Sequence, residues 1–174
     1  DAGQTSALPL PGEDVIGSAF DLNEDRIVGY SNDDAVVWER TANTFEPWIL
    51  EHRESDSFGV ANTISGYGVI GGSYRRENAG ATATVGLIWN RDGRILREFT
   101  DAEVTHVVDH LAAITGTAGT SVYDPGDEKL IALGAFLNGV GLTGVPDGPL
   151  ELIDLELSND GQRLLMLLQT QASS

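Results

Sequence analysis

At 174 residues the chain is long enough to bury one sizeable core and short for two domains. Its 27 acidic residues against 10 basic ones leave a net charge of −17, which sets phosphate backbones and anionic membrane surfaces aside as partners. With no cysteine there are no disulfides or thiolate chemistry, and no apolar run reaches the roughly 18–20 residues needed to cross a bilayer. The plain reading of the acidity is solubility, including in a saline medium. The functional alternative is a surface that attracts cations or a basic partner.

In chain order, Ala7-Leu8-Pro9-Leu10 comes first, and its setting of alternate prolines admits an edge strand at most. Short apolar runs cut by turn-formers then predict strands at Ser18–Leu22, Arg26–Ser31, Ala35–Glu39 and Phe45–Leu50. A second group follows at Val60–Ile64, Val69–Tyr74, Val85–Asn90 and Ile95–Phe99, with Asp92-Gly93 as a hairpin turn. Trp38 and Trp89 close the third strand of each group, and residues from about Arg75 to Thr82 are expected as an inserted Gly/Ala-rich loop. Val104–Leu111 has apolar residues at helical spacing but is read as a strand. Ala113–Thr117, Ser121–Tyr123 and Leu130–Leu133 complete a third group. The glycine-rich passage Gly134–Gly148 is expected as a long loop around one short strand. Leu152–Leu157, a turn at Ser158–Gly161 and Arg163–Thr170 then begin a fourth group.

The groups are copies of one frame. Ala19-Phe20-Asp21-Leu22-Asn23 followed by Ile27-Val28-Gly29-Tyr30-Ser31 returns 42 positions later as Ala61-Asn62-Thr63-Ile64-Ser65 followed by Val69-Ile70-Gly71-Gly72-Ser73. Gly29, Gly71 and Gly116 fall at equivalent places in this alignment. Such a period, with four short strands per unit, predicts an all-β fold, a small β-propeller of about four blades. The units are 13–52, 53–100, 101–137 and 148–174, in a single domain. The last blade is incomplete, and Ala7–Leu10, within residues 5–11, is placed to supply its fourth strand and close the ring. The alternatives are an open, twisted β-sandwich or a partial ring completed by another chain.

The sequence Ala19-Phe20-Asp21-Leu22-Asn23 … Ile27-Val28-Gly29-Tyr30-Ser31, then Ala35-Val36-Val37-Trp38, resembles the bacterial extracellular repeats of the HAF type. The likeness covers residues 15–50 and 58–100 and thins beyond them. Ser158-Asn159-Asp160-Gly161-Gln162-Arg163-Leu164-Leu165 looks instead like the strand turn of TolB-like propellers. The resemblance implies an exported, propeller-like protein without a catalytic site. A start at Asp1 rather than Met fits a mature periplasmic or secreted protein, and equally a cut at a domain boundary.

Three constellations offer chemistry. Asp21, Asn23 and Asp25 alternate as the opening ligands of a calcium loop do, but Arg26 and Asn32 stand where glycine and a bidentate glutamate belong, so a structural turn is expected. His106 and His110, four apart, fall on one face as zinc ligands would, but on a strand Asp109 points away and no third strong ligand is in view, so the two are read as solvated or hydrogen-bonded histidines. Tyr74, Arg75 and Arg76 head the expected inserted loop and are the candidate partner-binding residues, suited to grip a carboxylate or an acidic protein surface. No catalytic residue, metal ligand or cofactor is assigned. The function expected is a non-catalytic, exported binding or scaffolding module, an accessory subunit of a larger protein assembly. The competing class is a hydrolase using carboxylates on the propeller axis.

Overall fold

Arg26-Ile27-Val28-Gly29-Tyr30-Ser31 and Asp34-Ala35-Val36-Val37-Trp38 are β-branched and aromatic runs joined by Asn32-Asp33, and Asn32 takes the left-handed backbone (φ +48°) that a two-residue hairpin turn requires. In the computed structural model, which describes residues 7–13, 16–78, 80–145, 150–157 and 164–170, this hairpin forms the middle of the first sheet. That sheet holds β1 (Gly17–Leu22), β2 (Arg26–Ser31), β3 (Asp34–Arg40) and β4 (Phe45–Ile49) in spatial order. The second holds β5 (Asp56–Ile64), β6 (Ile70–Asn78), β7 (Ala81–Trp89) and β8 (Ile95–Thr100). The third holds β9 (Ala102–Val108), β10 (Leu111–Gly116), β11 (Gly119–Asp124) and β12 (Lys129–Ala132). After a short helix, α1 (Leu133–Gly139), the fourth sheet has two strands among the described residues, β13 (Leu150–Leu157) and β14 (Leu164–Thr170). The chain is therefore all-β, in four antiparallel sheets.

The sheets pack in sequence. β5 lies against β1, β2 and β3; β9 against β5, β6 and β7; β13 against β9 and β11. Three apolar layers result. Val28, Val37 and Leu50 meet Ile70, Leu87 and Trp89 between sheets one and two, and Ile88 meets Val104, Val107 and Ile114 between two and three. Ala113 and Val122 meet Leu150 and Leu152 in the third layer, with α1. Each sheet has a bulge in its first strand, where the register slips past Phe20, Asn62, Thr105 and Ile153. A bulge recurring at one place bends every first strand alike and marks the four sheets as copies.

The residue after the bulge serves a common purpose. Asp21 Oδ2 accepts the backbone N–H of Ile64 in the next sheet (2.8 Å), and Thr63 Oγ1 accepts that of Val107 (3.2 Å). His106 and Asp154 hold the same position in sheets three and four. The tryptophans that end β7 and lie in β3 repeat a second bond. Trp38 Nε1 donates to Pro9 O (2.5 Å) and Trp89 Nε1 to Glu51 O (2.8 Å), each acceptor lying ten positions before its unit's alanine, Ala19 or Ala61.

Several expectations need correction. The first hairpin of sheet two is one residue longer than that of sheet one, since Leu22 pairs with Ile27 but Ile64 with Ile70. Gly29 therefore corresponds to Gly72, not Gly71, and a Cβ at either would lie about 2 Å from a carbonyl oxygen of the neighbouring first strand (Ser18, 1.9 Å; Val60, 2.0 Å). Gly71 instead lets sheet three approach, a Cβ there meeting Val104 at 2.5 Å, while Gly116 has no such role and Ile114 takes the Gly29 position. The Arg75–Thr82 insertion is not a loop. β6 and β7 stay paired out to Asn78 and Ala81, so the backbone donors and acceptors there satisfy one another. Leu111 begins β10 rather than ending β9. The passage after Gly134 opens as a helix because Leu133 and Leu137, one turn apart, bury together against sheets three and four. Ala7–Leu10 is not a strand and does not pair with β13 or β14; its Pro9 lacks a ladder donor and its carbonyl serves Trp38 instead. The turn expected at Ser158–Gly161 lies outside the described residues.

Candidate functional site

The extension of β5 and β6 places Asp56 opposite Arg76. Arg76 donates Nε and Nη2 to the two Asp56 oxygens (2.6 and 3.0 Å) and Nη1 to Glu98 Oε2 (3.0 Å). Arg53 joins from the neighbouring loop, its amide donating to Asp56 Oδ2 (2.9 Å) and its Nε to Glu98 Oε1 (2.8 Å). Burial works to raise both carboxyls, but the Arg76 bonds, helped by Arg53, outweigh it and hold Asp56 and Glu98 below the usual carboxylate range. The same two carboxylates raise the already high Arg76 value further, so it stays charged. Arg76 is thus a cross-strand tie holding β5, β6 and β8 together.

Tyr74 is a core residue, 1% exposed, set edge-on to Trp89 with ring centroids 6.3 Å apart. Its hydroxyl accepts the backbone N–H of Ala35 in sheet one (2.9 Å), and burial pushes its phenol pKa upward. Gly59 opposite makes this possible, since a Cβ there would lie 2.0 Å from the ring. His52 stacks on the same ring at 5.2 Å, with its Nε2 3.6 Å from Asp34.

Of the three candidate contact residues only Arg75 presents its side chain to solvent. It does not stand alone. Its guanidinium sits 5.1 Å over the Phe58 ring, Phe58 lies 6.0 Å from Tyr30, and Tyr30 stacks on Phe20 at 5.8 Å. Phe58 occupies a β5 bulge between Ser57 and Gly59, with φ +44°, and is 39% exposed; Phe20, at the β1 bulge, is 53% exposed. An aromatic residue in the left-handed region is strained, and the bulge is what turns its ring outward. The strip Phe20–Tyr30–Phe58–Arg75 runs across sheets one and two. Sequence reading missed it because its members are distant in the chain; the one local signal is a bulky aromatic beside glycine in Ser57-Phe58-Gly59.

Most members of the other constellations make bonds within the fold. Asn23 Oδ1 accepts the amides of Asp25 and Arg26 and its Nδ2 donates to Ser65 O, while Asp21 holds Ile64, so two of the three candidate calcium ligands tie the sheet together. His106 pairs with Ala113 within sheet three, whereas His110 lies in the turn beyond, 3.0 Å from Asp109. Among the described residues no group of three or more histidine and carboxylate side chains is arranged to hold a metal ion. Two open clefts, of about 360 and 310 Å³, flank Ala7–Pro9 where it crosses sheet one, one against Arg40–Phe45 and one against Gly17–Ala19 and Trp38. Comparison with known protein families, with curated proteins and with solved structures finds no match to this chain.

Proposed function

We propose that this chain is a non-catalytic, extracytoplasmic binding module built as a small propeller-like stack of blades, and that it grips a protein partner through the strip Phe20–Tyr30–Phe58–Arg75. The observation that carries the reading is Phe58, a strained aromatic side chain turned into solvent by a bulge and capped by an exposed arginine. Strained backbone clusters at functional sites, and exposed apolar patches mark contact surfaces. Arginine and aromatic anchors are the side chains that dominate protein interfaces. Asp21 and Thr63 bond across the sheet seams and Asp56 and Glu98 bond Arg76 within sheet two, so these polar groups serve the fold rather than recognition. The propeller-like and exported aspects rest on the repeat frame and on the resemblance of residues 15–100 to HAF-type repeats.

The test is the native mass of the protein isolated from its source. A complex with a second, different protein, lost on Phe58→Ser with Arg75→Ser while the circular dichroism spectrum is kept, supports the reading. A species that carries no second, different protein, or a complex with such a protein that is indifferent to both substitutions, overturns it.

A further inference from the structure

The fourth sheet presents a different surface. Its outer strand, β14, runs Leu164-Leu165-Met166-Leu167-Leu168-Gln169-Thr170 and, among the described residues, pairs on one side only, with β13. Unpaired edges invite other strands, and proteins protect them with charges or proline. The other outer strands here follow that rule. β4 carries Glu46 and Pro47, β8 carries Arg97 and Glu98, and β12 carries Lys129. The inner edges do as well, with Asp21 in β1, Asp56 in β5, Glu103 in β9 and three carboxylates in β13. Among the described strands that form a sheet edge, β14 alone has neither charge nor proline, in a chain of net charge −17. Met166 and Leu168 pack inward against the third apolar layer, while Leu167 is 59% exposed.

We infer that β14 is a self-association edge, pairing antiparallel with β14 of a second copy. Among the described residues three sheets have four strands and the fourth has two, so two copies joined at β14 build one four-stranded sheet, β13-β14-β14-β13, of the size the repeat otherwise makes. The charge distribution favours this occupant. The seam is the uncharged strand, and Glu151, Asp154 and Glu156 of β13 lie on the far side of it. With strands about 4.8 Å apart, the two β13 strands sit about 14 Å from each other, beyond the roughly 10 Å screening length at 0.1 M salt. Full overlap of a seven-residue strand with itself puts the two-fold axis at its middle residue, Leu167. This surface is separate from the aromatic strip and needs nothing of the binding role proposed for it.

Sedimentation of the 174-residue chain across a concentration series tests the inference. It predicts a mass rising to twice 18.5 kDa, restored to 18.5 kDa by Leu167→Lys, which sets two like charges face to face, and retained by Leu167→Thr. Because the chain has no cysteine, Leu167→Cys supplies a single thiol, and mild oxidation should link the two copies, since directly opposed Cβ atoms lie about 4.5–5.5 Å apart. A chain monomeric at every concentration overturns the inference. So does a dimer that survives Leu167→Lys and fails to cross-link at position 167. A monomer whose β14 amides are already protected from hydrogen exchange also overturns it, by showing the edge filled within one chain. A dimer lost to Phe58→Ser instead moves the self-contact to the aromatic strip, while a dimer indifferent to that change and lost to Leu167→Lys places it at the edge.

Discussion

Replacing Tyr74 with phenylalanine isolates one hydroxyl and one hydrogen bond. The ring, fixed against Trp89 and against the gap left by Gly59, keeps its packing, so no cavity opens. What is lost is the acceptor for the Ala35 amide, and Ala35 is 0% exposed, so water cannot replace it. A buried donor left without an acceptor costs about 1–3 kcal/mol. Taking about 2 kcal/mol, and about 2–4 °C per kcal/mol for a domain of this size, Tyr74→Phe lowers the melting temperature by about 4–8 °C. Urea unfolding followed by tryptophan fluorescence should show the midpoint falling with an unchanged slope. Tyr30→Phe, altering a half-exposed hydroxyl, should stay within about 0.5 kcal/mol of the parent. Equal midpoints for Tyr74→Phe and the parent would refute the burial of this bond between sheets one and two, and with it the placement of Tyr74 in the core.

Two further outcomes follow from the geometry. Gly72→Ala drives a Cβ to 2.0 Å from Val60 O and should cost about 2–3 kcal/mol in urea unfolding, whereas Gly66→Ala, with open space around it, should be close to neutral. Arg76→Gln leaves buried Asp56 without its cation and should cost about 3 kcal/mol at pH 7. The pH dependence has a definite sign. The folded pKa values of Asp56 and Glu98 are depressed, so the stability they confer is full above the unfolded values of about 3.9 and 4.3 and drains away as pH falls through the folded ones. The gap between parent and Arg76→Gln should hold from pH 7 to about 5 and shrink below about 4; a gap that widens on acidification contradicts the assignment.

Much of the strand order is written locally, because β-branched runs such as Ala35-Val36-Val37-Trp38 and turn pairs such as Asp92-Gly93 each decide their own conformation. What could not be read depends on partners far away in the chain. Tyr74 is buried because Gly59, on the neighbouring strand, has no side chain there. The run Arg75–Thr82 looks like a loop by its glycine and alanine content, yet Arg76 meets Asp56 and the hairpin grows to reach it. Helix α1 is too short for its apolar spacing to show, and two glycines mask it. The link between sheets was hidden in a different way. Asp21 and Thr63 do the same job with different chemistry, an oxygen acceptor being all that the position demands.

If the sheets are stacked copies joined through the residue after each bulge, the Ile64 amide is protected by Asp21 and the Val107 amide by Thr63. Residue-resolved hydrogen exchange on Asp21→Ala and Thr63→Val decides the matter. Asp21→Ala should accelerate exchange at Ile64 and spare Val107, and Thr63→Val should do the reverse. Exchange at both amides unchanged in both variants, or raised equally in both, would contradict the stacking of the sheets through these contacts.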